Sequence, residues 1–222
     1  MDYLYETHMH TSEGSACAVS SAKQQVIAYK EKGCSGIIVT DHFINGYTTC
    51  PKNLPWEQKM RHFVSGYDNA KKAGDEVGLD VFFGWEFTIK GADFLTYGLG
   101  FDFLLENPDL DNMGIEEYSA LVRENGGYLA QAHPYRDAYY IDHSFPVAHH
   151  LIDGVEVYNS YDSDYINNKA LAFAIKYDLP MQSGTDSHGR GDIFFSGIIL
   201  PEKAKSIHDI INAIKIREVK LV

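Results

Sequence analysis

Short apolar runs alternate with amphipathic stretches along the whole chain, and the two periods define the predicted elements. Tyr3 to His8 reads as a strand. Ser20 or Ser21 can cap a helix reaching about Lys32, which Gly33 ends. Gly36-Ile-Ile-Val-Thr40 is a continuous apolar strand of the kind buried on both faces. After a loop over 45–55, the pattern predicts one long helix from Trp56 to Val77. Strands follow at Val81–Glu86 and Phe94–Leu99, then a turn-rich loop over 107–112 and a helix from Ile115 to Glu124. Tyr128–Ala132 and Gly154–Tyr158 read as strands on either side of an irregular, aromatic and histidine-rich segment. The last elements are a helix over 164–177, strands at Leu179–Gln182 and Phe194–Leu200, and a helix over 203–216.

Strands that alternate with helices favour a parallel α/β sheet. No repeat, low-complexity tract or linker divides residues 1–222, so the chain reads as a single domain of the length of an α/β barrel. In such barrels functional side chains gather at the carboxyl ends of the strands. His8 and His10, Asp41 and His42, Glu86, His133, Asn159, and Asp186 and His188 all fall there.

Composition narrows the picture. Apolar residues make up 45% and aromatics 13%, enough for a substantial core. Lys and Arg total 19 against 31 Asp and Glu, a formal charge of −12, which disfavours non-specific binding to nucleic acid or an anionic membrane. Ligated metals would turn some of those acids from free surface charge into ligands. Cys17, Cys34 and Cys50 are odd in number and widely spaced. With no basic, apolar leader after Met1, they point to reduced thiols in a cytoplasm. No apolar run approaches the ~20 residues of a membrane span.

The chemistry lies in the histidines and acids. Residues i and i+2 of a strand share a side, so His8 and His10 can bind one metal together, and Asp186 and His188 repeat that spacing. Mixed imidazole and carboxylate ligands suit Zn²⁺, Mn²⁺ or Fe²⁺ better than Mg²⁺. Glu86 is the natural bridging carboxylate. Adjacent metals can clamp a phosphate and activate a water. No nucleophile elbow, Walker loop or dinucleotide fingerprint is present. Arg136 and Arg190 lie beside these motifs and suit bidentate phosphate contact, with Lys169 a weaker choice.

The motifs His8-Met-His10-Thr, Thr40-Asp-His42, Gly84-Trp-Glu86, Ala132-His-Pro134 and Gly184-Thr-Asp-Ser-His188 resemble, in order and over essentially the whole chain, those of the PHP (polymerase and histidinol phosphatase) family. The resemblance implies a distorted, TIM-like (β/α)7 barrel with two or three divalent ions and phosphoesterase activity. It implies that His8, His10, Glu86 and Asp186 hold one ion. Glu86 would bridge to a second, shared with His133, and His42 and His188 would hold a third. Asp93 stands where many relatives carry a histidine, and is either an oxygen ligand or a neighbour. In the loop after His10, Glu13 is the hard ligand and Cys17 the soft alternative. The expected reaction is hydrolysis of a phosphate ester by a metal-activated water, with Glu86, Asp186, Arg136 and Arg190 as its working residues. The expected substrate is a small phosphorylated molecule or nucleotide, with no membrane and no stable nucleic-acid partner.

Blander readings stand beside these. His62, His143, His149, His150 and His208 read as surface or hydrogen-bonded side chains, with His149 and His150 also candidates for a pocket mouth. Asp41 can orient a neighbour instead of binding metal, and Asn159 can hydrogen-bond near the site. The tyrosines at 135, 139 and 140 read as packing or as an aromatic loop beside the pocket. The alternative functions are histidinol-phosphate phosphatase, amidohydrolase-type C–N hydrolysis and a non-catalytic metal-stabilised domain. The C–N reading lacks a bridging lysine at a strand end, and the non-catalytic one sits poorly with so full a ligand set.

Overall fold

The structure, a computed structural model, describes residues 2–138, 141, 146–189, 191 and 196–222. Its strands are β1 (Tyr3–Met9), β2 (Gly36–Val39), β3 (Asp80–Ile89), β4 (Ala92–Tyr97), β5 (Tyr128–Gln131), β6 (Gly154–Asn159), β7 (Met181–Gly184), β8 (Ile198–Leu200) and β9 (Lys220–Leu221). They form one sheet in the order β7-β6-β5-β4-β3-β2-β1-β8-β9. A parallel bridge between Met9 and Ser187 brings the carboxyl ends of β1 and β7 together, which nearly closes the sheet into a barrel.

The expected parallel sheet is corrected at its far edge, where β8 runs against β1 and β9 against β8, and at β4. β1, β2 and β3 pair in parallel, as do β5, β6 and β7, but β4 runs against both β3 and β5. The cause is local. Lys90 and Gly91 both have positive φ, 51° and 82°, the backbone of a two-residue hairpin turn whose twist suits the flanking strands. With no helix between β3 and β4, a parallel return is not available.

The α-helices are α1 (Ala22–Glu31), α2 (Trp56–Phe63), α3 (Ser65–Val77), α4 (Phe101–Glu106), α5 (Ile115–Glu124), α6 (Asp164–Lys176) and α7 (Ile207–Lys215). Ser21 and Gln24 form a capping box on α1, and Ser163 and Ser206 cap α6 and α7. The single helix predicted over 56–77 is two helices that break at Val64. There the Ser65 hydroxyl donates to the His62 carbonyl at 2.6 Å, an acceptor that a continuous helix would need. Gly66, at the start of α3, has no room for a side chain: a Cβ there would lie 2.3 Å from both the Asp41 carboxylate and the Thr11 hydroxyl.

Alternation along the strands sorts core from site. Tyr5 and Met9 on β1, Trp85 and Phe87 on β3, and Val155 and Val157 on β6 are buried among apolar side chains. Trp85 packs with Phe43, Phe83 and Phe103 and donates its indole N–H to the Tyr118 hydroxyl at 2.7 Å. The alternate residues Glu6, His8, Glu86 and Glu156 are as deeply buried but turn into the barrel, where they meet across non-adjacent strands. Among the described residues, no helix is long and apolar enough to cross a membrane.

Candidate metal centre

The carboxyl ends of β1, β3, β5 and β7 converge on one cluster of imidazoles and carboxylates. His8 and His10, on the same side of β1, bring their Nε2 atoms to 3.3 Å. The Glu86 carboxylate lies between several partners. Its Oε1 is 3.1 Å from His133 Nε2 and 3.3 Å from His8 Nε2, and its Oε2 is 2.8 Å from His42 Nδ1. Asp186 Oδ1 is 3.0 Å from His10 Nε2 and 3.4 Å from His8 Nε2.

Four groups place their ligand atoms within 4.8 Å of one another: His8 with His10 and Glu86; His8 with His133 and Asp186; Glu86 with Asp93 and His133; and His10 with His42 and His188. The donor set is that of borderline divalent ions. Glu86 Oε2 and His42 Nδ1 face each other while neither has an aligned hydrogen-bond partner, and orphaned buried polar atoms of this kind are what an ion would satisfy.

Surrounding groups set these ligands. His8 Nδ1 is 2.9 Å from Glu156 Oε1, an arrangement that fixes the ring and leaves Nε2 for the centre. Glu156 Oε2 accepts from the His133 backbone N–H at 3.1 Å and from Asn159 Nδ2 at 2.9 Å. A Cβ at Gly184 would meet the His8 Cβ at 2.6 Å and Glu156 Oε1 at 2.8 Å, so only glycine lets β7 approach this closely. Two ligand candidates also sit at left-handed backbone angles, His133 at φ 28° and Asp186 at φ 54°. Such angles cost roughly 1–3 kcal/mol each and persist where the surroundings dictate them. Here the Asp186 N–H donates to His8 O at 2.7 Å, which helps to hold the conformation.

Electrostatics prepare the ligands unequally. Burial opposes charge on His8 and His42, but the neighbouring carboxylates outweigh it and hold both imidazoles well above their ordinary range. Burial and the nearby His188 push His10 down to about 3. Burial would raise Glu86, yet the charges of His42 and His8 keep it well below the usual carboxylate range. The carboxylates therefore favour the protonated form of both rings, and a metal must displace those protons. Metal uptake is expected to release protons and to weaken as pH falls. Calorimetric titration in two buffers of different ionisation enthalpy checks this, and a proton count of zero would contradict it.

Not every predicted residue joins the cluster. Glu13 is the correction: its carboxylate accepts from the Ala22 N–H at 2.9 Å and from Asn69 Nδ2 at 3.3 Å, so it faces the start of α1 and lies outside the four groups. Cys17, half-buried in the same loop, also lies outside the four groups, though His188 and His42 bear on its thiol. Burial raises this thiol, but those two histidines bring it down to about 7. Asp93 sits at the edge of the centre and accepts from Thr88 Oγ1 at 2.6 Å. Asp41 holds the loop, accepting from Thr11 N at 2.6 Å, Thr11 Oγ1 at 2.7 Å and Ser15 Oγ at 2.7 Å.

Arg136 reaches the cluster. Its Nη1 donates to Asp186 Oδ2 at 2.6 Å, its Nη2 to Asn159 Oδ1 at 2.8 Å and its Nε to Asp162 Oδ1 at 3.0 Å. Arg190, His143 and the tyrosines at 139 and 140 lie outside the described residues. Lys169 stacks over Tyr165 and Tyr135, and His149 stacks on Tyr177, away from the ligands. Glu156 and Asp162 were not singled out by the sequence reading. The signal for Glu156 was a lone acid between two valines in an otherwise apolar strand.

Above the cluster is an open cavity of about 430 Å³ bordered by Arg136, Tyr161, Asp162, Asp186 and His188. A larger one of about 650 Å³, lined by Arg61, Tyr67, Phe83 and Phe101 among others, contains none of the candidate ligands.

No family model matches the sequence, and neither does any curated protein. Solved structures do share the fold. A two-domain protein from Bacteroides vulgatus containing a predicted PHP-like metal-dependent phosphoesterase aligns with a TM-score of 0.77 at 15% identity, over 100% of this chain and 65% of that one. The lesion-specific endonuclease PfuEndoQ from Pyrococcus furiosus aligns with a TM-score of 0.64 at 15% identity, over 100% of this chain and 58% of that one. Endonuclease Q in complex with a 27-mer duplex substrate, an abasic lesion at its active site, gives 0.62 at 15% identity, over 97% and 57%. This chain thus spans less than two thirds of each of these neighbours. The likeness is one of fold: the chain has the distorted TIM-like barrel that its motifs imply.

The last neighbour corrects one expectation. The expectation was a small phosphorylated substrate and, with so acidic a net charge, no stable nucleic-acid partner. Yet this same fold receives a DNA duplex in Endonuclease Q. Net charge summed over a chain does not decide contact at one pocket, where bound cations and a few donors set the local field.

Proposed function

We propose that this chain is a metal-dependent phosphoesterase that cleaves a phosphodiester of nucleic acid. The observation that carries the reading is the convergence of His8, His10, His42, Glu86, Asp93, His133, Asp186 and His188 on one barrel end, under an open cavity. His8, His10, Glu86 and Asp186 would hold one ion, and Glu86 would bridge to a second with His133 and Asp93. His42 and His188 would serve a third. Zn²⁺, Mn²⁺ and Fe²⁺ suit these donors. When bound, such ions polarise phosphoryl oxygens and acidify coordinated water.

The chain's own residues do the rest. Glu156 aims His8 by holding its Nδ1. Arg136 anchors Asp186 through one N–H of Nη1 and Asn159 through one of Nη2. Each of those nitrogens carries a second N–H, the donors available to a phosphate at the cavity floor. Tyr161 is exposed at the rim and lies edge-on to His188, 5.9 Å between ring centroids, a platform on which a base can stack.

The test is cleavage of a labelled duplex with a single abasic site, beside undamaged and single-stranded controls, by protein loaded with Mn²⁺ or Zn²⁺. Cleavage that stops on chelation and returns with metal is expected. A loaded protein that leaves every phosphodiester intact would refute the proposal.

A further inference from the structure

The two rings of the first motif are backed differently. His8 Nδ1 meets the Glu156 carboxylate, whereas His10 Nδ1 lies 3.0 Å from the hydroxyl oxygen of Ser15. Ser15 sits in the loop after His10, is fully buried, and was not singled out by the sequence reading. Its hydroxyl also lies 2.7 Å from Asp41 Oδ1 and accepts from the His42 backbone N–H at 3.0 Å. Asp41 is buried as well, yet it lies outside the four ligand groups. Room is made for its carboxylate on two sides: a Cβ at Gly14 would come within 2.5 Å of it, and one at Gly66 within 2.3 Å. The Thr11 N–H and hydroxyl donate to the same carboxylate, so the loop turns three donors onto Asp41.

A hydroxyl has one proton to give. Of the two acceptors within reach, the Asp41 carboxylate is charged and closer, so the Ser15 proton goes there. The Ser15 oxygen is left as an acceptor, and His10 Nδ1 can meet it only as a donor. A neutral imidazole has one N–H, so a proton on Nδ1 leaves the lone pair on Nε2, the atom that lies among His8, Glu86 and Asp186. Without that anchor, Asp186 Oδ1, 3.0 Å from Nε2, would draw the proton to Nε2 and cover the ligand atom. We propose that Ser15 is a positioning residue of the centre: with its own proton given to Asp41, its oxygen holds the His10 proton on Nδ1 and turns the Nε2 lone pair to the metal. The proposal rests on the reading of His10 as a ligand and not on the bond that is hydrolysed.

The experiment is nuclear magnetic resonance of Zn²⁺-loaded protein with isotope-labelled imidazole nitrogens, beside Zn²⁺ affinity measured by competition with a chelator. In the wild type His10 is expected to bind through Nε2 and to show a slowly exchanging Nδ1–H. In Ser15→Ala that proton should exchange freely, while the Nδ1–H of His8, held by Glu156, stays protected and reports that the barrel end is intact. Zn²⁺ affinity should fall by roughly 10–100-fold, the usual effect of removing such a partner. Metal bound through Nδ1 of His10 in the wild type would overturn the proposal, whether or not the variant folds. So would a Ser15→Ala protein with a protected His10 Nδ1–H and unchanged affinity. In both cases the metal centre and the phosphoesterase reading would stand. A wild type that takes up no Zn²⁺ would instead refute the metal centre, and this proposal with it.

Discussion

Asp186→Ala is expected to lose metal and to lower phosphodiester cleavage by a factor on the order of 10³ or more. Asp186 meets the imidazoles of the centre on one side and Arg136 on the other. One oxygen approaches His10 at 3.0 Å and His8 at 3.4 Å, and the other accepts from Arg136 at 2.6 Å. Burial would raise its pKa, but the charges of His8 and Arg136 hold it well below the usual carboxylate range, so it is an anion ready to bind. Alanine removes that anion and leaves the Arg136 guanidinium without its closest partner. Asp186→Asn keeps shape and separates charge from packing. It too should lose metal, because a neutral amide binds divalent ions weakly. Metal per chain and cleavage rate, measured together, check the prediction. A variant that keeps both would remove Asp186 from the centre.

Arg136→Ala is expected to destabilise the metal-free protein by about 3–5 kcal/mol, the usual consequence of breaking a buried ion pair from one side. The guanidinium is 11% exposed and neutralises two carboxylates, those of Asp186 and Asp162, which are 3% and 7% exposed. Its loss leaves both without that counter-charge. The deficit should shrink on adding Mn²⁺ or Zn²⁺, because a bound ion takes over Asp186 and stabilises the folded state by mass action. Asp162 lies outside the ligand groups, so part of the deficit should persist. Urea unfolding of wild type and variant, with and without metal, reads this directly. A deficit unchanged by metal would show that Asp186 is not a ligand.

Much of the barrel end was legible from strand periodicity and terminal motifs. His-x-His on a strand must point both rings one way, and the Nε2 atoms do meet at 3.3 Å. Gly36–Val39 is a strand buried throughout, as its continuous apolar run implied. What escaped depends on contacts distant in sequence or on short local competition. Arg136 was noted for its nearness to His133, but Asp162, which holds it, is 26 residues further on. Glu13 could not be placed by ligand hardness, because its carboxylate is taken by the Ala22 N–H and Asn69, 9 and 56 residues further on. The reversal of β4 rests on two residues at positive φ, and the break between α2 and α3 on one serine hydroxyl. α4 is six residues long, too short for a helical period to show.

The most direct test of the metal centre is elemental analysis of protein stripped with a chelator, reloaded with Zn²⁺ or Mn²⁺ and freed of excess. The arrangement of Glu86 between His8, His42 and His133 predicts more than one tightly held ion per chain, with the number falling in Glu86→Ala. A wild-type protein that retains no metal after loading would contradict the account at its base.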